Sequence, residues 1–316
     1  MMINYNHRFA IGVDIGGSHI SCAIVDLITG HIFKESQTER KINNKASAEE
    51  ILNGWSEALQ SVIGIIGKKN IAGIGFAIPG PFAYDRGIAL FNSSVDKFEK
   101  LYNVNIPSEL NFRLNINDDI PIRFMNDASA FAVGEAWFGK ASGFSNSVSI
   151  TLGTGFGSAF LKNGLPVVEN VWVPKMGCVW HLPFKNSIAD DYFSTRWFIA
   201  QWKNISGETV NGVREIADRA FSDVRAKDLF IEYGSNMGQF LGPWLKRFNA
   251  EILVIGGNVV SAYSLFGPSF EQKLKELNVP TKIAISNLRE DAAIIGSARL
   301  IDSEYYKKIK PVLPKM

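Results

Sequence analysis

"VDIGGSHISCAIVD" runs from Val13 to Asp26, and "SITLGTGFGSAFLKNG" runs from Ser149 to Gly164. Each is a β-rich stretch broken by a glycine turn and resumed as a second β-rich stretch. The first continues through "LITG" into "HIFKES", the second through Asn163-Gly164 into "LPVVEN", so each predicts a meander of three strands. Two copies of one supersecondary unit in one chain predict a duplicated domain.

The flanking sequence extends both copies. Ser47 and Glu50 form an S-x-x-E capping pattern, which predicts a helix through "EEILNGWSEALQSVIGIIG". "IAGIGFAI" reads as a buried strand, ended by Pro79-Gly80-Pro81. "IPIRFMND" reads as another, ending at Asn126 and Asp127, and "ASAFAVGEAWFGK" as an Ala-rich helix. In the second half, helices are predicted near "DDYFSTRWFIAQW", "REIADRAF" and "AKDLFIEYGSNMGQFLGPWLKRF". "EILVIGG" reads as a buried strand, and "REDAAIIGSARLI" as a closing helix. The fold class is therefore α/β, with one domain over 1–143 and a second over 144–316. The last helix is expected to cross back to the first.

Composition narrows the function. The chain has 316 residues, 46% hydrophobic and 20% charged, enough for two cores. Its 33 basic and 31 acidic residues leave a net charge of +2 without a long basic block. Neither nucleic acid nor a membrane surface is an expected partner. No run of about 18 apolar residues marks a membrane span, and "MMINYNHRFA" has no apolar leader segment. Cys22 and Cys178 alone make neither a disulfide framework nor a thiol zinc site. A cytoplasmic location is expected.

Three glycine turns close strands: Gly16-Gly17-Ser18, Gly153-Thr154-Gly155 and Gly256-Gly257-Asn258. Glycine lets a backbone approach an anion and turn its N–H groups toward it, and Ser18, Thr151 and Thr154 add hydroxyls. Each turn alone reads more readily as a plain hairpin, whereas the turns together in one duplicated chain point to a phosphate clamp. None is a dinucleotide fingerprint, because no helix follows the hairpin turns. Gly134 to Lys140 matches G-x-x-x-x-G-K, but it falls inside a predicted helix and is followed by Ala141 instead of Ser or Thr, so it is no P-loop. Asp14 stands at a strand end beside a phosphate-type turn, where it suits a hydrated Mg²⁺ or a bond to its own turn. Asn126-Asp127 stands between a strand and a helix, which fits both an N-cap and a general base for a hydroxyl.

Taken in order, "VDIGGSHISCAIVD", "GIGFAIPGP", "FMNDASAFAVGEAWFG", "SITLGTGFGSAFLKNG", "ILVIGGN" and "REDAAIIGSA" resemble the ROK family of sugar kinases and sugar-responsive repressors. The resemblance spans roughly Ile11 to Ala298. It implies two actin-like (ribonuclease H-like) domains, each a mixed five-stranded sheet flanked by helices. It implies ATP and Mg²⁺ as cofactors, a small-molecule sugar as substrate, and a homodimer. Asp127 would be the base acting on a hexose 6-hydroxyl, Asn126 would hold a sugar hydroxyl, and Gly80 would line the sugar pocket. Gly16, Gly17 and Ser18 would form the first phosphate loop, and Thr151, Gly153, Thr154 and Gly155 the second. Asp14 would sit near Mg²⁺, and Gly256 and Gly257 would pack by the adenosine.

The resemblance breaks in "VPKMGCVWHLPF". The family has Glu-x-Gly-His here and then a Cys-rich zinc motif. Aligned on Gly177, Lys175 replaces the Glu and Cys178 the His, so no zinc site is expected. Asp190 of "DDYFS" stands where the family has a second sugar-contacting Glu, and His181 could compensate at the sugar edge or simply be satisfied within its loop. The family's repressors carry an N-terminal helix-turn-helix, for which the motif beginning by Ile11 leaves no room. A non-catalytic sugar sensor without a DNA-binding domain is the alternative to a kinase.

Overall fold

The computed structural model describes residues 8–93, 97–116 and 119–316. The chain forms two compact units. One holds the chain up to Gly139 together with Glu290–Met316, and the other is Lys140–Arg289.

The first unit runs β1 (Phe9–Ile15), β2 (His19–Asp26), β3 (Thr38–Lys41), α1 (Ala48–Ile66) and β4 (Ile71–Ile78). Two-residue strands β5 (Phe82–Ala83) and β6 (Ile88–Ala89), α2 (Ile106–Leu114), β7 (Ile122–Asn126) and α3 (Asp127–Phe138) follow. The second unit begins with β8 (Asn146–Leu152), β9 (Phe156–Lys162) and β10 (Leu165–Pro166). After the short pair β11 (Pro183–Phe184) and β12 (Ser187–Ile188) come α4 (Ala189–Tyr192), α5 (Thr195–Ser206), α6 (Val213–Arg219) and α7 (Val224–Phe248). It ends with β13 (Ile252–Gly256), α8 (Tyr263–Glu276) and β14 (Lys282–Ile285). The chain then returns to the first unit as α9 (Asp291–Ala298) and α10 (Ser303–Ile309).

Both units contain a five-stranded sheet, ordered β3-β2-β1-β4-β7 in the first and β10-β9-β8-β13-β14 in the second. The first three strands of each form an antiparallel meander, and the last two join in parallel. The duplicated, mixed five-stranded α/β architecture expected from the sequence is present. The parallel strands are covered on both faces, so β4 is buried along its whole length and reads as an unbroken apolar run. α1 starts where the capping pattern predicts, with the Ser47 hydroxyl accepting from Glu50 N at 3.2 Å. It buries Ile51, Leu52, Trp55, Leu59, Val62 and Ile63 along one stripe.

The third strand of the first meander lies elsewhere than expected. "HIFKES" contributes only a single bridge, Val25 to Ile32, and a 3-10 turn over Lys34–Ser36. The buried Ser36 hydroxyl accepts from Ile24 N at 2.9 Å and donates to the Phe33 carbonyl at 2.6 Å. One side chain thus satisfies the strand edge, and the ladder resumes only at β3, where Thr38–Lys41 pair with His19–Cys22. Asn111, Phe112 and the rest of α2, together with α8 and β14, were not anticipated by the sequence patterns.

α3 contains the first five residues of the G-x-x-x-x-G-K segment and ends at its second glycine, Gly139, as the C-cap, and the helix residues from Ala128 to Glu135 are all buried. Its Gly134 is there for packing: a Cβ at that position would overlap the carbonyl oxygen of Ala292 on α9. The second unit closes its α7–α8 pair the same way, with Gly234 against the Phe266 carbonyl.

Candidate functional site

In the first unit the candidate residues gather at the carboxyl ends of β1, β4 and β7, where ligands of α/β sheets bind. The adjacent ends are in register, with Asp14 beside Ala77 and Ile78 beside Asn126. Asn126 is the N-cap of α3: its Oδ1 accepts from Ser129 N at 3.2 Å. That fixes the amide, whose Nδ2 donates to Asp127 Oδ1 at 2.9 Å and to Tyr84 Oη at 3.4 Å. Asp127 Oδ1 also accepts from Ala128 N at 2.9 Å. Two donors thus hold one oxygen of Asp127, while Oδ2 has no hydrogen-bond donor among the described residues. A half-buried carboxylate gripped by one oxygen and open at the other is the geometry a general base needs.

Tyr84 joins this group without a signal in the sequence. Its hydroxyl donates to the Ile78 carbonyl at 3.2 Å, and a Cβ on Gly80 would lie 3.4 Å from it. It ties the exit of β4, the Gly80 turn and Asn126 together. Only its place shortly after "PGP" could have suggested it.

Asp14 has no side-chain hydrogen bond or ion pair among the described residues. Its pKa is raised from 3.8 to about 7, first by burial and then by the charges of Asp127 and Glu290. The residue is only partly covered as a whole, but its carboxyl lies deep. A carboxylate so placed fits a divalent cation, which would favour its charged form. Among the described residues no group of three acidic, His or Cys side chains could cage a metal. One carboxylate without a protein partner matches Mg²⁺, which keeps several waters and needs few protein ligands.

The two hairpin turns each leave a pair of N–H groups free. In the first, Gly16 N donates across the turn to the His19 carbonyl at 2.9 Å, and the N–H groups of Gly17 and Ser18 have no protein acceptor. In the second, Gly153 N donates to the Gly155 carbonyl at 3.0 Å, and those of Thr154 and Gly155 are free. Paired free amides beside a hydroxyl make an anion-binding concavity. Thr151 is half-buried one residue before Leu152 and stands beside Gly256 in the sheet register. Gly257 has φ 88° and a Cβ there would overlap the Leu152 carbonyl, so the third glycine turn packs directly under the second.

Asp190 lies at the second turn. Its Oδ1 accepts from Phe156 N at 2.7 Å, and its Oδ2 is held by Arg196 Nη2 at 2.6 Å. These bonds brace the glycine turn. Lys175, Cys178 and His181 form a separate group: Cys178 Sγ is 3.8 Å from His181 Nδ1, and burial followed by the Lys175 charge lowers the His181 pKa. The imidazole is thereby held toward its neutral form. Cys22 is buried in β2, which pushes its thiol up to about 12.

Two mixed five-stranded sheets flanked by helices, duplicated in one chain, form the actin-like fold of ROK sugar kinases. The chain belongs to the ROK family, whose profile matches residues 10–304. It is 26% identical over 319 residues to a glucokinase of Thermotoga maritima, covering 92% of this chain and 96% of that protein. It is 22% identical over 345 residues to a xylose repressor of Caldicellulosiruptor bescii, covering 96% and 80% respectively. The structure of a ROK family glucokinase from Streptomyces griseus in complex with glucose and AMPPNP matches with a TM-score of 0.73 at 22% identity, covering 92% of this chain and 98% of that one. No helix among the described residues is long and apolar enough to cross a membrane.

Proposed function

We propose that the chain is a Mg²⁺- and ATP-dependent sugar kinase that phosphorylates the 6-hydroxyl of a hexose or N-acetylhexosamine. The observation that carries this reading is Asp127, whose Oδ1 is held by Asn126 and Ala128 while Oδ2 stays open at the end of β7. In phosphoryl transfer the attacking hydroxyl needs its proton accepted and its position fixed. Asp127 Oδ2 takes that proton. Asn126 and the Ala128 N–H hold the carboxylate in place, Tyr84 accepts from Asn126, and Gly80 leaves room beside them for a sugar ring.

In the first unit the free N–H groups of Gly17 and Ser18 with the Ser18 hydroxyl, and in the second those of Thr154 and Gly155 with the Thr151 and Thr154 hydroxyls, are each suited to donate to phosphate oxygens. Asp14 would hold the hydrated Mg²⁺, which neutralises phosphate charge when bound. Gly256 and Gly257 border the adenosine. Asp190 acts by stiffening the second turn, and His181 reads a sugar hydroxyl as a neutral imidazole. The protein acts as a cytoplasmic homodimer.

The test is coupled ADP release with a panel of hexoses and N-acetylhexosamines in the presence of Mg²⁺. Turnover with at least one sugar is expected. Lys175, in place of the family's Glu, favours a second reading, a sugar sensor without catalysis. That reading predicts tight binding of one sugar and no ADP release with any of them.

A further inference from the structure

Two basic residues at the first glycine turn have no part in the reading above. His19 opens β2 directly after the turn, and its imidazole lies against it. A Cβ on Gly16 would sit 2.7 Å from His19 Cε1 and 3.1 Å from Nδ1, and Ser18 Oγ is 3.5 Å from Nδ1. Lys41 on β3 is the cross-strand partner of His19. Antiparallel partners project from the same face of a sheet. Neither residue has a carboxylate partner among the described residues, and Lys41 is exposed.

Two carbonyls of this turn are already used. Asn44 Nδ2 donates to the Gly17 carbonyl, and Ile42 N donates to the Ser18 carbonyl at 2.8 Å. What remains unspent are the N–H groups of Gly17 and Ser18 and the Lys41 ammonium, beside a Ser18 hydroxyl and a His19 imidazole that are in contact with each other. The same unit carries Asp14, on which the charges of Asp127 and Glu290 act. A polyanion approaching that unit needs positive charge to offset this repulsion; Lys41 is placed to supply it, and His19 to add a ring N–H donor.

We propose that His19 and Lys41, with the free amides of Gly17 and Ser18, form a seat of hydrogen-bond donors for the polyphosphate of the phosphoryl donor. The inference rests on the kinase reading and adds two donor-binding residues to it.

Calorimetric titration of AMPPNP, inorganic tripolyphosphate and adenosine tests it. His19→Leu and Lys41→Ala should each weaken AMPPNP and tripolyphosphate about tenfold, the size of one charge-assisted hydrogen bond. Adenosine binding should not change, and His19→Lys should keep the wild-type affinity. Loss confined to tripolyphosphate also supports the seat and identifies inorganic polyphosphate as the donor. Unchanged anion binding in both variants overturns the inference and leaves the kinase reading intact, as does a parallel loss of adenosine. A wild-type chain that binds neither anion overturns the seat, and it overturns the kinase reading as well only if no sugar elicits ADP release.

Discussion

The two sheets share one strand order, yet the ends of corresponding strands carry different chemistry. β1 reaches its glycine turn through Asp14, whereas β8 reaches its own through Thr151. β7 runs into Asn126 and Asp127, whereas its counterpart β14 runs into Ser286. The first unit therefore offers carboxylates, which can accept a proton or hold a cation. At the corresponding strand ends the second offers the Thr151 and Ser286 hydroxyls, which suit the oxygens of an anion, while free amides occur at the glycine turns of both units. One scaffold supports two chemistries because the sheet fixes where strand ends lie without fixing what they carry.

The largest expected effect breaks that division at its acidic side. Asp127→Asn keeps the size of the side chain and removes the base. Turnover in the ADP-release assay should fall about 10²–10⁴-fold, with the unfolding temperature unchanged. Thr151→Ala, the matching loss in the second unit, should act mainly on the KM for ATP. Near-wild-type turnover in Asp127→Asn would falsify the base assignment.

The scaffold can be probed in both units at once. Gly134→Val forces a side chain into the Ala292 carbonyl, and Gly234→Val does the same at Phe266. Each should cost about 3 kcal/mol in urea unfolding, the upper part of the usual overpacking range. Similar losses support equivalent helix pairs. A loss in one unit only shows that the duplication stops at the sheets.

Asp14 and Thr151 should differ in their response to pH. Folded Asp14 keeps its proton up to about 7, against an ordinary value of 3.8. Between these values the folded chain binds the extra proton, so the metal-free protein loses stability as pH rises from about 3.8 to about 7 and then levels off. Asp14→Asn removes that slope. Its unfolding temperature should exceed the wild type's by a margin that grows across this window and is constant above it. Added Mg²⁺ should raise the wild type selectively. Thr151→Ala should shift the unfolding temperature equally at every pH.

The sequence revealed the repeated strand-turn-strand unit, because period-two patterning and glycine turns are local. It also revealed Asn126 and Asp127 as a pair with two readings, and the structure joins them: the cap that starts α3 is also what grips the carboxylate. Tyr84 was invisible because its partners, Ile78 and Asn126, are brought to it only by sheet pairing. The misplaced third strand has the same cause in reverse. "HIFKES" has strand composition, but the Ser36 hydroxyl satisfies the backbone that a strand would have paired.

The smallest effect tests how the two glycine turns are held. A neutral amide braces the first turn, from Asn44 to the Gly17 carbonyl. A charged relay braces the second: Arg196 holds Asp190, and Asp190 accepts from Phe156 N. The Arg196 side chain is 57% exposed, so water and salt weaken its ion pair, and the pair contributes about 0–1 kcal/mol. Arg196→Gln should leave global stability almost untouched and still free Asp190 to leave the turn. Amide exchange at Phe156 should then quicken by about three- to fivefold, within that energy range. Exchange at Gly16, bonded to the His19 carbonyl, should not change. High salt should reproduce the effect in the wild type at Phe156 alone, because only the second brace depends on charge.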